Sequence, residues 1–185
     1  VLIADYLVQD LDDTLARLSS QVLDLVPPQR QLEPLPGSNS IAWALYHTAR
    51  HAQLALHVLG RPPAVPQDVE GLDARAWTGG AGLQEVQQEW FTPSDASALR
   101  EYHAEVFAHV RDFLGTLEPD GLNAPTDAAG ALAEAEVDRE VFGWLYGMWD
   151  QPVAFLVRWP LTGHLVHHVG EMVTYRNQIG LSPFR

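Results

Sequence analysis

Leu7, Leu11, Leu15, Leu18, Val22 and Leu25 recur at steps of three and four residues, the spacing that lines one face of an α-helix. Asp10, Asp12 and Asp13 fall between them and form its solvated side. Pro27-Pro28 ends the pattern. After a Pro/Gly-rich connection, Ser38, Asn39 and Ser40 offer good N-cap residues. The run IAWALYHTARHAQLALHVLG then carries no breaker before Gly60, which suits a C′ position. A second helix is expected over about 39–59. Residues 61–92 read as a long surface connection with a short helix at Leu83–Trp90, a length typical of a crossover or a functional loop.

Thr92-Pro93-Ser94 opens a third helix, with Pro near its first position. Leu99, Tyr102, Val106, Val110, Phe113 and Leu117 mark its buried face, and Glu118-Pro119-Asp120-Gly121 stops it. The stretch AAGALAEAEVD has helical propensity. Val137–Trp144 and Pro152–Trp159 are rich in β-branched and aromatic residues and predict a short hairpin. Pro160 fits the first turn of a last long helix, which ends at Gly180. The expectation is an all-α, single-domain chain over 1–185: a four-helix bundle with one long crossover and a short hairpin before the last helix.

Composition narrows the function. Apolar residues make up 46% of 185, enough for a core without disulfides. Lys plus Arg number 11 against 24 Asp plus Glu, a formal charge of -13. That sign argues against binding nucleic acid or anionic membranes, both of which need a surplus of Lys and Arg. The start lacks the pattern of a signal peptide, so the chain is expected to be soluble and cytoplasmic. Cysteine is absent, which removes thiolate metal sites, Fe–S clusters and a cysteine nucleophile. A soft-metal site would have to draw on the eight histidines.

His164-x-x-x-His168 is the strongest local signal. Residues four apart on a helix share a face, so two imidazoles so placed can grip one ion. The competing reading is that helical histidines sit at the surface or pack in the core. His167 points to another side of the helix. A third ligand should come from a facing helix. His47 and His51 form a second such pair, and either or both could complete the site. Three histidines would leave a position for water or substrate, as in catalytic zinc sites. Glu171 follows on the same face as His164 and His168. It is a candidate fourth ligand, general base, or acceptor that holds an imidazole N–H. His57, His103 and His109 have no evident partner, and Arg176 reads first as a partner of the helix dipole. No phosphate-binding glycine loop, Gly-x-Ser-x-Gly elbow or His-Glu-x-x-His signature is present.

Two segments, Asn39-Ser40-Ile41-Ala42-Trp43-Ala44-Leu45-Tyr46-His47 and Thr162-Gly163-His164-Leu165-Val166-His167-His168-Val169-Gly170-Glu171-Met172, resemble the DinB/YfiT-like family of metalloenzymes. The resemblance implies a bundle of up-down-down-up connectivity. It implies a divalent metal, zinc or nickel, held by His47, His164 and His168. Trp43, Tyr46 and His51 become candidate pocket residues, and Glu171 a candidate catalytic group. Members of the family include thiol S-transferases and an isomerase that use a low-molecular-weight thiol as cosubstrate, and some are induced by DNA damage. The expected partners are a small-molecule substrate and neither nucleic acid nor membrane, with a homodimer as one assembly that helical bundles adopt. The alternative expectation is a non-catalytic metal-binding or stress-response bundle.

Overall fold

A computed structural model of the chain describes residues 2–61 and 95–183. Its elements are α1 (Ile3–Leu18), continued by a π turn at Ser19–Leu23, then short α2 (Pro28–Gln31) and α3 (Ile41–Val58). Next come α4 (Asp95–Gly115), a 3-10 turn (Pro119–Asn123), α5 (Ala128–Glu134) and α6 (Arg139–Trp149). The last run is α7 (Val153–Leu156), a π segment (Val157–Gly163) and α8 (His164–Gln178), joined end to end through residues in the right-handed helical region. No strand occurs among the described residues. The expected crossover helix at Leu83–Trp90 and the helix start at Thr92-Pro93-Ser94 lie outside them.

The long helices close on one core. α1 packs on α4 and α8, while α3 packs on α4, the π segment and α8, which puts α1 and α3 on the diagonal. Arg111 meets Asp12 at 3.0 Å and Arg100 meets Asp24 at 3.6 Å, so α1 and α4 run antiparallel. α3 is the central helix: from Ile41 to Val58 every residue except His57 is buried. Its N-terminus is fixed by the Ser40 hydroxyl, which accepts from Trp43 N–H at 3.1 Å. Its C-terminus is closed by Gly60 at φ +68°, a conformation that favours glycine. Arg176 is buried rather than set against the helix end alone: it donates to the Gln21 carbonyl at 2.6 Å and ties α8 to the π turn of α1.

Three expectations need correction. Leu25 is 39% exposed, and Val26 is buried in its place. The π turn takes up an extra residue and moves the buried stripe on by one. The expected hairpin is helical. Phe142, Leu145, Tyr146 and Trp149 are spaced to bury one helix face, and Asp138 caps α6 by accepting from Glu140 and Val141 N–H. This periodicity overrides the weak strand preference of single residues. Finally, Pro160 does not open the last helix. The helical run already starts at Val153, and Pro160 sits inside its π segment.

Candidate metal centre

α3 and α8 present their histidines to each other. Trp43 faces His168, while His51, two turns later on α3, faces His164, so the two helices run antiparallel here. His47, His164 and His168 are all buried, and one nitrogen from each lies within 4.8 Å of the other two. His164 Nε2 stands 3.2 Å from His47 Nε2 and 3.1 Å from His168 Nε2. Two nitrogens each about 2.0–2.1 Å from a zinc ion at the tetrahedral angle stand roughly 3.4 Å apart, close to the spacing seen.

The protons sharpen this fit. His168 Nδ1 lies 2.7 Å from the Glu171 carboxylate. An ionised carboxylate only accepts, so Nδ1 carries a proton, and in the neutral tautomer that this fixes Nε2 is bare. His164 Nε2 holds at most one proton, which points one way. It can match one of its two close neighbours and leaves the other contact mismatched. A cation among the three nitrogens removes the mismatch, because each then offers it a lone pair. The residues therefore fit a divalent ion on the chemistry of their donor set.

Electrostatics favour the neutral rings that ligation requires. Burial first, and the neighbouring histidines second, push His164 down to about 2. The same causes hold His51 well below the ordinary histidine range. Glu171 is held below the usual carboxylate range, chiefly by its hydrogen bond to His168. Its other oxygen meets exposed His167 at 3.1 Å. Glu171 thus lies against the Nδ1 edge of His168, opposite the edge that faces His164. His167 lies outside the trio, as its helix position requires.

The other candidates divide. Trp43 is buried and stacks on His47, with ring centroids 4.2 Å apart and planes 16° apart. His51 packs 4.5 Å from both the His47 and the His164 ring, and neither of its nitrogens has a hydrogen-bond partner. Tyr46 faces α4 instead, where its hydroxyl accepts from Arg50 at 3.1 Å beside Tyr102. His57, His103 and His109 lie away from the cluster: His57 is near Glu134, His103 packs on Phe107, and His109 lines a surface groove with Leu56 and Asp112.

The pattern of residues understated two features. Trp149 and Trp159 wall the site, at 5.9 Å from His51 and 5.4 Å from His164. Arg50, buried on α3, anchors a polar network: it donates to Gln53 at 2.9 Å, and Tyr102 donates to the same Gln53 oxygen at 2.6 Å. A lone arginine within IAWALYHTARHAQLALHVLG was the available signal.

Comparison with known proteins gives one result that covers most of the chain. No curated protein and no solved structure matches it. A family model for the DinB superfamily matches residues 8–172, a span that includes all three histidines, the whole of α3 and the first part of α8. With the helical bundle and the histidine cluster in place, this match shows that the chain belongs to the DinB superfamily.

Proposed function

We propose that the chain is a metal-dependent enzyme in which His47, His164 and His168 hold one divalent ion, zinc or nickel. The observation that carries this is the convergence of three buried Nε2 atoms at close to the spacing of ligands on one ion. When bound, such an ion supplies Lewis acidity, which makes a water or a thiol nucleophilic near neutral pH. The chain's own residues do the rest. Glu171 fixes the tautomer and orientation of His168. Trp43 holds the His47 ring by stacking. The tryptophans beside His51 and His164 limit water around the centre.

The substrate side rests on resemblance and composition. The family resemblance suggests thiol chemistry, and because the chain has no cysteine the thiol would be a low-molecular-weight cosubstrate acting on a small-molecule electrophile. The reaction is of thiol-transferase, isomerase or hydrolase type. The -13 charge supports neither nucleic acid nor an anionic membrane as partner, and no helix among the described residues is long and apolar enough to cross a bilayer. We place the activity in the cytoplasm as part of this proposal.

One observation favours a second reading, a non-catalytic metal-binding bundle. His51 is buried against two of the three candidate ligands with both nitrogens unpartnered. If it turned onto the ion, it would close the site. The two readings separate on water exchange. Cobalt-loaded protein with an exchangeable water, detected by proton relaxation, together with turnover against a panel of thiols and electrophiles, supports the enzyme. A closed four-nitrogen centre with no exchangeable water and no turnover supports the bundle.

A further inference from the structure

The seven residues before His164 form a π segment, Val157–Gly163, inside an otherwise α-helical run. Three features hold it there. Pro160 lies inside it, and proline has no N–H and crowds the carbonyl four residues back in an α-helix. Thr162 Oγ1 donates to the Val157 carbonyl at 2.8 Å and reaches the Arg158 carbonyl at 3.3 Å, so the widened turn keeps its acceptors satisfied. Gly163 has an ordinary helical φ of -61°, so its backbone conformation does not call for glycine. Space does: a Cβ on Gly163 would lie 2.6 Å from the Arg158 carbonyl oxygen, a backbone atom that cannot swing aside. The N–H of His164 itself bonds the Trp159 carbonyl and closes the segment.

A π turn takes up one residue more than an α turn. One residue is about 100° of rotation in an α-helix. Leu156 is buried ahead of the segment, Val157, Pro160, Leu161 and Thr162 within it, and His164, Leu165, His168 and Val169 after it. Without the extra residue α8 would be turned relative to α7, and the two segments could not both keep these faces in the core. We infer that Thr162 and Gly163 are positioning residues for the metal centre: through the π segment they hold α8 in the rotation that brings His164 Nε2 onto His47 and His168. This rests on the metal-binding reading above.

The test uses metal-free full-length protein without a histidine tag, titrated with Co2+ and with Zn2+ in competition. Gly163→Ala and Thr162→Val are expected to bind about 10–100-fold more weakly, the range typical when groups supporting a ligand are lost. Their cobalt absorption spectrum should change as well, at temperatures well below unfolding. Thr162→Ser keeps the hydroxyl and should restore wild-type affinity and spectrum. Wild-type affinity and spectrum in both Gly163→Ala and Thr162→Val overturn the inference. If Gly163→Ala does not fold, the Thr162→Val and Thr162→Ser pair decides. If wild-type protein takes up no ion, the metal reading fails separately. The inference is then read from long-range 1H–15N spectra of the imidazoles in the metal-free protein. Altered His164 and His168 ring signals in Thr162→Val but not Thr162→Ser support it, and unaltered signals in both overturn it.

Discussion

His164 is the residue on which the centre turns, since its Nε2 is close to both other candidate ligands. Replacing His47, His164 or His168 by alanine should each abolish stoichiometric metal uptake, measured by elemental analysis on tag-free protein. His167→Ala should leave the stoichiometry unchanged, because that ring is exposed and faces Glu171. Glu171→Gln keeps the shape but replaces the ionised acceptor with a neutral one. Zinc affinity should fall about 10–100-fold with the metal still bound at one per chain, as competition with a chromogenic chelator would show. His103 makes a separate prediction. Burial holds it down to about 3, whereas an unfolded histidine titrates near 6.5. The unfolded chain therefore binds more protons between those values. The stabilisation of neutral His103 is complete above pH 6.5 and is lost as pH falls toward 3, by up to about 1.4 kcal/mol per pH unit. His103→Leu removes the titrating ring and its unpartnered Nε2. The urea midpoint of this variant should fall less between pH 7 and pH 5 than that of the wild type. Equal losses in both proteins would count against the buried neutral ring.

Helix ends show which local features were legible. Side-chain chemistry offered Ser38, Asn39 and Ser40 as N-caps of α3 and Gly60 as its C′ residue; Ser40 is the one that caps, and Gly60 holds. Ser40→Ala should destabilise the protein by about 1 kcal/mol. For a chain of this size that lowers the melting temperature by about 2–4 °C, measurable by calorimetry. Periodicity was enough to locate the buried faces of α1 and α4, with Leu11, Leu18, Leu99 and Val106 all in the core. It failed where the helix departs from 3.6 residues per turn. The π turn at Ser19–Leu23 exposes Leu25, and the π segment at Val157–Gly163 absorbs Pro160, which by ordinary rules marks a helix start. The hairpin failed for another reason. Phe142 of its first strand belongs instead with Leu145, Tyr146 and Trp149, which follow at helical spacing and bury one face of α6. Of the site, His164, His168 and Glu171 were legible because i, i+3 and i, i+4 spacing fixes a shared face, whereas on α3 spacing left His47 and His51 both open and the family resemblance singled out His47. Residue type marks Trp149 and Trp159 as core or pocket-wall aromatics, and only the folded chain places them beside His51 and His164, as it leaves Trp144 50% exposed.

In the folded bundle as a whole, α3 contributes His47 and α8 contributes His164 and His168, so an ion held by all three would link metal binding to folding. An ion that binds only the folded chain stabilises it by about 2.7 kcal/mol at a free concentration 100-fold above Kd. The melting temperature should therefore rise by about 5–10 °C with zinc or nickel. The same addition to His164→Ala should give no rise. Acid reverses this, because ligand nitrogens must be neutral to bind the ion. The chain has no cysteine, so the metal centre proposed here draws on histidine nitrogens and no thiolate. The most direct measurement is the metal content of tag-free protein after loading with zinc or nickel and removal of free ion, for wild type and His164→Ala side by side. One ion per wild-type chain and none in His164→Ala is the expected result. No ion in the wild type, or an equal content in both proteins, would contradict a metal centre built on His47, His164 and His168.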